Sequence, residues 1–403
     1  MQTFKLPLLK DHHSHPSIGA AFSGGINIRN ISDKNEVIER VQASQQALTV
    51  VFGWNSSAYR FTQDELESMP PVIICNLSLH GFLLNRSAKE QLQPEYPDIV
   101  ANIDNPVWME ANIYTILKFL ANIQPFEEQR IRDFFEENLL PLGVWYAEDM
   151  LLPHKDLIHL FEHIGYAQRT QFWADEAILE TLNQDELGKI VGIKLFTDGA
   201  IGASTAAISQ AFLSGEKGVL IFSDEALYQK MRNLGRYRLP FAVHAIGDIA
   251  TRQVVNTVAR LRTEDPCFPM VRMEHCQFVH PDVALQAKSL GIVLSMQPNF
   301  NSDSIHYADR LPALFLQHNN PFRMLIDEAG YIPGVDLLFG SDGMPHGVQY
   351  ALQQVLFPAF AQQALTLEEF QQGYCLPSMV QGYVDVQVDE LRQSVAVTVH
   401  PAG

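Results

Sequence analysis

The chain has 403 residues, and its 46 acidic and 28 basic residues give a formal net charge of −18 at pH 7. This charge disfavours nucleic acid and anionic membrane surfaces as partners. Hydrophobic residues make up 47% of the sequence, so a sizeable core can form, and the length predicts one large domain with an insertion or two domains.

The first third of the chain mixes strand-like and helix-like patterns. A predicted strand runs from about Leu6 to His13, and a helix-like stretch follows at Lys34–Gln46. Strand-like apolar runs come next at Ala47–Trp54 and Val72–Leu77. A helical stretch of mixed charge follows, and Phe126–Leu140 is its clearest part. These patterns lack the regular alternation of strands and helices that begins afterwards.

From residue 143 onward, strand-like runs alternate regularly with helical segments. The predicted strands are Gly143–Asp149, Tyr166–Ala174, Ile190–Asp198, Leu239–His244, Met270–Phe278, Gly291–Pro298 and Val335–Asp342. With the first strand they make eight, which predicts an α/β fold of the (β/α)₈ TIM-like barrel type. Residues 1–378 would form this barrel domain, with an insertion at about 45–135 between strands 1 and 2. The C-terminal strand ends of such a barrel open on one face, where active sites lie.

The tail at residues 379–403 has a different pattern. Tyr383–Val388 and Ser394–Val399 alternate apolar with polar or small residues. This alternation predicts a short hairpin or strand pair outside the barrel. We expect it to be a reduced β-sandwich remnant.

Cysteine usage and the N-terminal residues bear on the compartment. The four cysteines are widely spaced, with no CxxC pair, which favours free thiols over a disulfide framework. The first residues lack the apolar core and cleavage site of a signal peptide, and no run approaches the roughly 18 apolar residues of a membrane helix. We expect a cytoplasmic protein whose partner is a small-molecule substrate, with neither nucleic acid nor membrane as a partner. A homodimer is left open.

Several predicted strands end on residues that can bind metal ions. These residues are His13, His15, Lys194, His244, His275 and Asp342. His13 and His15 point the same way on a strand because side chains alternate faces, so they make a ready pair of nitrogen ligands. A solvated, histidine-rich N-terminus would explain this pair equally well.

Lys194 stands inside the apolar run IVGIKLF. Lysine is seldom fully buried without a partner, and burial lowers its pKa so that a neutral amine becomes available. Such an amine can add carbon dioxide and become a carbamate. The alternative is an ion pair with Asp198 or Asp342. On the sixth strand, Arg272 and Glu274 have the opposite parity to His275, so they either support the metal ligands or line the barrel wall.

The remaining three candidates are weak when each is taken alone. A single histidine at a strand end, such as His244 or His275, is more often a satisfied core or surface residue, and an aspartate before glycine, such as Asp342, is usually a turn residue. Their placement at the C-terminal ends of strands 5, 6 and 8 favours a shared functional role over three unrelated structural roles. Together with Lys194 at strand 4, they predict one shared metal site.

The order HxH, Lys, His, His, Asp along these strands resembles that of the metal-dependent amidohydrolase superfamily. The short sequence motifs around these residues resemble those of its N-substituted formamide deformylase-like branch, of the amidohydrolase 3 type. These motifs are KLFTDG at 194–199, HAIGD at 244–248, EHCQ at 274–277, SMQP at 295–298 and GSD at 340–342, with His80, Asn85 and Glu110 matching in the insertion. Few residues precede His13, which departs from the family pattern and implies a reduced second domain.

The resemblance implies two divalent ions, zinc by ligand type, bridged by a carboxylated Lys194. His13, His15 and Asp342 would hold one ion, and His244 and His275 the other. Asp342 would also transfer the proton, and His80 would act in the substrate pocket, for which Trp54, Asn85 and Gln297 are further candidates. The implied activity is hydrolysis of a non-peptide C–N amide bond in a small molecule.

Three alternatives stay open on the same scaffold. The first is a mononuclear aminohydrolase, or deaminase, with one metal at His13, His15, His244 and Asp342 and with Lys194 unmodified. The second is a lactone or ester hydrolase. The third is a barrel without catalytic activity, which is disfavoured because no ligand position is missing.

Overall fold

The computed structural model describes residues 2–77, 81–105, 108–109, 112–123 and 126–402. The chain divides into two compact units. The first comprises Met1–Ser17 with Ile131–Gly403, and the second comprises Ile18–Arg130. The first unit contains two sheets and the second unit one, and each unit has its own buried core.

Strands and helices alternate along most of the described chain. The strands are β1 Gln2–Pro7, β2 Leu9–Ser14, β3 Ile26–Asn27, β4 Thr49–Trp54, β5 Val72–Asn76, β6 Phe82–Leu84, β7 Val144–Asp149, β8 Thr170–Ala174, β9 Ile190–Phe196, β10 Phe241–Ala245, β11 Val271–His275, β12 Val293–Met296, β13 Leu337–Phe339, β14 Gly382–Asp389 and β15 Ser394–Pro401.

The α-helices are α1 Pro16–Phe22, α2 Lys34–Gln42, α3 Gln63–Glu67, α4 Arg86–Leu92, α5 Pro97–Asn102, α6 Ile113–Asn122, α7 Glu128–Asp133, α8 Asp156–His163, α9 Glu176–Leu179, α10 Gln184–Leu187, α11 Asp224–Leu234, α12 Asp248–Glu264, α13 Pro281–Ser289, α14 Asp303–His306, α15 Ala313–His318, α16 Val348–Leu356 and α17 Leu367–Tyr374. Helix α2 ends four residues earlier than the sequence pattern predicts. Among the described residues, no helix is both long enough and apolar enough to cross a lipid bilayer.

The first unit is built around an eight-stranded parallel sheet. Its order is β2-β7-β8-β9-β10-β11-β12-β13, and every neighbouring pair is parallel. The edges meet just beyond the last strand, where the N–H groups of Ser341 and Asp342 donate to the His13 carbonyl at 3.2 and 2.7 Å. Strands such as β10 and β11 are buried at every residue, as expected for strands covered on both faces. The predicted TIM-like (β/α)₈ architecture is therefore confirmed.

The first strand-like run serves two sheets rather than one. Strand β1 pairs antiparallel with β14, which pairs with β15, and β2 alone belongs to the barrel. The break follows Pro7, whose nitrogen cannot donate a hydrogen bond to a ladder. Leu8 lies fully buried at the junction, and its carbonyl accepts from the Leu376 N–H at 2.8 Å. The hairpin predicted for the tail therefore has a third strand, which comes from the N-terminus.

The second unit contains a four-stranded mixed sheet of order β3-β4-β5-β6. The first three strands are parallel, and β6 is antiparallel to β5. Asn85 caps helix α4 and accepts from the Ala88 N–H at 3.0 Å. Its amide nitrogen also donates to the carbonyls of Met69 and Pro70. The buried Asn85 side chain is therefore used to fix this loop, which favours a structural role over the substrate-pocket role suggested by the sequence.

Gly192 lies in β9 at a place where no side chain fits. A Cβ atom there would overlap the Trp173 ring and the Pro240 carbonyl oxygen. Trp173 is itself almost fully buried in the barrel and cannot move aside easily. Gly188 stands four residues earlier at an ordinary φ of −64°, and a Cβ there would lie 3.4 Å from the Asp185 carbonyl oxygen.

We expect Gly192→Ala to lower the free energy of unfolding by about 1–3 kcal/mol through overpacking. The matched control Gly188→Ala should stay within about 0.5 kcal/mol of wild type. Thermal or urea unfolding of the three proteins measures the difference. Equal stability of the two variants would show that β9 and Trp173 are less tightly packed than described.

Candidate metal centre

His13 in β2 and His15 just after this strand meet Asp342 at the closed edge of the barrel. The Nε2 atoms of His13 and His15 lie 3.7 and 3.2 Å from Asp342 Oδ1. Burial opposes ionisation of Asp342, but the hydrogen bond with His15 and the nearby His13 outweigh it and hold the pKa of Asp342 below its usual range. Asp342 follows β13 in a left-handed conformation with φ 56°. Residues from the first and last strands thus form one group.

His275 completes this group from β11. Its Nδ1 lies 2.8 Å from the Gln297 side-chain oxygen, which can only accept, so Nδ1 carries the proton and Nε2 carries the lone pair. Ligand atoms of His13, His275 and Asp342 all lie within 4.8 Å of one another. Burial lowers the pKa of His275 well below its ordinary value, which keeps the ring neutral and able to bind a metal ion.

His244 stands beside His275, with ring centroids 4.5 Å apart. Its Nε2 lies 3.1 Å from the Gly199 carbonyl oxygen, an acceptor, so Nδ1 carries the lone pair. Asp198 lies 3.4 Å from the same Nε2 and accepts backbone N–H groups from Ile246 and Gly247. Asp198 therefore ties the loop after β9 to the loop after β10 and orients His244.

Lys194 is fully buried in β9. Its Nζ has no hydrogen-bond partner among the described residues, and within that part of the chain no carboxylate pairs with it within 4.0 Å. Burial lowers the pKa of Lys194 to about 8. The ion pair with Asp198 or Asp342 that the sequence left open is thus not formed. Burial and the positive charge of Lys194 together lower the pKa of His13 to about 4, so the two groups are close enough to interact.

A buried charged group supports His13 from behind. Glu274 Oε2 accepts from His13 Nδ1 at 2.6 Å, and Glu274 Oε1 accepts from Arg272 Nε at 2.5 Å. Arg272 also donates to Glu148 Oε2 at 2.8 Å. Burial opposes ionisation of Glu274, but the guanidinium outweighs it and lowers the pKa of Glu274 to about 2. Of the two roles that parity left open for Arg272 and Glu274, the structure shows the supporting one.

Parity alone could not decide between these roles, because the backbone changes at the end of β11. His275 has a φ of 71° and Cys276 a φ of 50°, both in the left-handed region. The alternation of side chains therefore ends at His275, and His275 and Glu274 both reach the group around His13. Such strained residues at a site are held in place by the surrounding packing.

Asp11 is a supporting residue that the sequence reasoning missed. It is fully buried, and its carboxylate accepts the N–H groups of His13 and Ser341 at 3.1 and 2.9 Å. The Ser341 hydroxyl also donates to it. Burial raises the pKa of Asp11 to about 7. Its position two residues before His13, on the same face of β2, was the available signal.

Not every predicted site residue can be placed. His80 and Glu110 lie outside the described residues. Trp54 belongs to the second unit, where its indole nitrogen donates to the Tyr59 carbonyl at 3.0 Å. Gln297 contacts His275 and so acts on a candidate ligand. The role of each residue as a ligand or a catalyst stays a prediction.

Comparison with known proteins agrees with this geometry. The family model described as "Amidohydrolase family" matches residues 123–350. The chain belongs to the amidohydrolase family. The match includes Lys194, His244, His275 and Asp342, but it begins after His13 and His15. Amidohydrolases are generally metal-dependent hydrolases. The superfamily assignment is thereby confirmed, and the formamide deformylase-like branch stays a prediction.

Individual relatives cover the chain unevenly. "Putative amidohydrolase YtcJ" of Bacillus subtilis (strain 168) is 31% identical over 122 residues, which are 30% of this chain and 23% of that protein. An uncharacterized metal-dependent hydrolase from Pyrococcus horikoshii OT3 matches at TM-score 0.61 and 21% identity, covering 85% of this chain and 71% of the other. One from Pyrococcus furiosus matches at TM-score 0.59 and 20% identity, covering 85% and 74%. At such identities the two structures show a shared fold.

The side chains of this amidohydrolase fit a divalent cation. The imidazoles of His13 and His275 are buried and neutral, and the neighbouring Asp342 is ionised. Imidazole nitrogens with a carboxylate oxygen are the donors that zinc and similar ions take in hydrolases. The buried Lys194 amine is a further donor without a hydrogen-bond partner in the described part of the chain.

We expect Lys194→Met to raise the melting temperature of metal-free protein, because it removes a buried amine that lacks a hydrogen-bond partner. The folded-state pKa of about 8 lies below the ordinary 10.5, so the unfolded chain binds more protons between these values. Wild-type stability should therefore rise relative to the variant across that window.

Calorimetry of chelator-treated proteins at several pH values measures this gap. The exposed Lys217 supplies the control variant Lys217→Met, which should change the melting temperature little, because it removes no buried amine. A constant gap between wild type and Lys194→Met would mean that Lys194 titrates normally.

Proposed function

We propose that this amidohydrolase uses two divalent metal ions, zinc by ligand type, to hydrolyse a non-peptide C–N amide bond in a small molecule. The observation that carries the proposal is the meeting of His13, His275 and Asp342 ligand atoms within 4.8 Å, beside a fully buried Lys194. The amide specificity is supported by the sequence words that resemble the N-substituted formamide deformylase-like branch.

The proposed ligands divide into two sets. His13, His15 and Asp342 bind the first ion, which is supported by the distances of 3.7 and 3.2 Å from the two histidines to Asp342 Oδ1. His244 and His275 bind the second ion, which is supported by their ring separation of 4.5 Å. Each set combines imidazole nitrogens in the way that zinc sites do.

Lys194 bridges the two sets as a carbamate in this proposal. Its neutral amine forms a bond to the carbon of carbon dioxide and releases one proton, which turns a neutral group into an anionic ligand. The pKa of about 8, caused by burial, makes the neutral amine available near neutral pH. The conversion would also remove the cost of a buried amine that has no hydrogen-bond partner in the described residues.

The chain's own groups move the proton. Divalent ions held there would supply an acidified water and a polarised substrate carbonyl. Asp342 is ionised at neutral pH, so Oδ1 is ready to accept the proton of the attacking water. The same carboxyl then returns the proton to the leaving nitrogen. An amine leaves poorly without a proton, which is why this arrangement suits amides.

A mononuclear aminohydrolase is the second candidate. One observation favours a single ion, because ligand atoms of His13, His275 and Asp342 lie within 4.8 Å of one another. This group contains His275, whereas the mononuclear set predicted from the sequence had His15 and His244 beside His13 and Asp342. In this case Lys194 stays an amine and the substrate carries an exocyclic amino group on a ring. The two candidates differ in the number of ions per chain.

We also propose a reducing compartment, such as the cytoplasm, and a small-molecule substrate. All four cysteines are free, and Cys75 and Cys276 are buried. Disulfides are rare in proteins of reducing compartments. The net charge of −18 favours a small neutral or weakly charged substrate over a polyanion at long range.

Elemental analysis of protein purified without chelator tests the metal proposal. We expect about two equivalents of a divalent transition metal, chiefly zinc, per chain. In Lys194→Ala one equivalent should be lost, because the bridging ligand is gone. About one equivalent in wild type would support the mononuclear candidate, and near-absence of metal would contradict both.

A substrate screen tests the bond type. Metal-loaded protein is assayed against N-acyl amines, formamides, cyclic amides, amino-substituted rings and lactones, and amide hydrolysis is expected. Asp342→Asn should lower kcat by at least about 10²-fold with metal largely retained, since it removes the proton acceptor. Robust turnover of lactones alone would overturn the amide assignment, and an undiminished kcat in Asp342→Asn would place the proton transfer on another group.

A further inference from the structure

The His13 ring has a partner on each side. Its Nδ1 lies 2.6 Å from Glu274 Oε2, and its Nε2 lies 3.7 Å from Asp342 Oδ1. A neutral imidazole has one N–H and one lone pair, and a metal ion requires the lone pair. The identity of the nitrogen that carries the proton therefore decides whether His13 can bind metal through Nε2.

The second oxygen of Glu274 is committed to Arg272. Arg272 Nε donates to Glu274 Oε1 at 2.5 Å, and both side chains are buried. Arginine has only donors, so the atom that faces it must be an acceptor. This contact fixes which end of the Glu274 carboxylate, or of any isostere in its place, points toward the guanidinium.

Arg272 itself cannot turn away. Its Nη1 donates to Glu148 Oε2 at 2.8 Å, and its Nη2 donates to the His12 carbonyl at 3.0 Å. The guanidinium also lies 4.5 Å from the centroid of the Trp173 ring. Each nitrogen thus has a fixed contact, and the planar fork is held in one orientation.

We propose that Arg272 and Glu274 are positioning residues that hold His13 in the tautomer protonated at Nδ1, so that the Nε2 lone pair faces the metal position. The inference rests on the proposed function, in which His13 is a ligand. Carboxylates that accept from the second nitrogen of a ligand histidine are known to orient the ring and fix its tautomer. Neither residue touches the substrate in this role.

The variant Glu274→Gln tests this inference, because it should change the tautomer of His13. The amide of glutamine has one oxygen that accepts and one nitrogen that donates. Arg272 Nε requires the oxygen, so the amide nitrogen must face His13 Nδ1. The amide nitrogen donates, so His13 Nδ1 has to accept, the ring proton moves to Nε2, and the Nε2 lone pair needed by the metal is lost. The side chain keeps its size, so packing is little changed.

Glu148→Gln is the matched control. Glu148 Oε2 accepts from Arg272 Nη1 and from Trp173 Nε1, both at 2.8 Å, so the amide oxygen of glutamine would stay on that side. Its other oxygen lies 2.8 Å from His12 Nδ1. This variant also removes one charge from the same buried group, and it should also move the ring proton of His12 from Nδ1 to Nε2. However, His12 is not a proposed ligand.

The experiment measures tautomers and metal affinity in the full-length chain. Nitrogen-15 NMR of histidine-labelled, metal-free wild type should show His13 protonated at Nδ1, with the signal assigned by its loss in His13→Gln. Glu274→Gln should show the proton at Nε2. Zinc affinity, measured by competition with a chromophoric chelator, should fall about 10–100-fold in Glu274→Gln and stay close to wild type in Glu148→Gln.

The outcomes separate this inference from the proposed function. A wild-type His13 protonated at Nε2 overturns the inference and does not require any variant to fold. Equal zinc affinity in Glu274→Gln and wild type overturns it as well, as does an equal loss in both glutamine variants. A wild type that binds no zinc, yet shows His13 protonated at Nδ1, instead overturns the proposed function and leaves the positioning contact standing.

Discussion

The closure of the barrel at His13 is the constraint on which the rest of the site depends. Two successive N–H groups, of Ser341 and Asp342, donate to the His13 carbonyl, and Asp11 accepts from His13 and Ser341 on the same edge. Because the first and last strands are joined here, His13 and His15 meet a carboxylate more than 300 residues later in the chain. Any ion that binds these side chains also fastens the closing edge.

Behind this edge, the barrel interior contains several buried charged side chains. Arg272 lies between Glu148 and Glu274, all three almost fully buried, and burying such charges is costly even when they are paired. Their contacts with His12 and His13 explain why the cost is tolerated, since apolar residues could not orient an imidazole. Lys194 adds a buried amine with no hydrogen-bond partner in the described chain. Buried charged groups of this kind lower stability and are typical of functional sites.

The second unit and the small antiparallel sheet illustrate where patterns along the chain are weaker guides. The apolar runs of β4 and β5 were predicted as strands, but their pairing with the short strands β3 and β6 was not. The predicted strand from Leu6 to His13 joined the end of β1 to β2, because only Leu8 lies between these two strands, although they belong to different sheets. Asn85 matched a family word, yet its buried amide fixes the loop at Met69 and Pro70.

What the sequence determined by itself is the parallel barrel and the set of candidate ligands. Buried parallel strands must be continuously apolar, and their last residues open on one face, so His244, His275 and Asp342 could be assigned to it from their positions alone. Only the tertiary structure decided which nitrogen of His13 faces Asp342, and that Glu274 stands behind it. These two features depend on the left-handed turn at His275 and on contacts between distant strands. Neither the turn nor the contacts produce a periodic pattern in the sequence, so the sequence could not predict them.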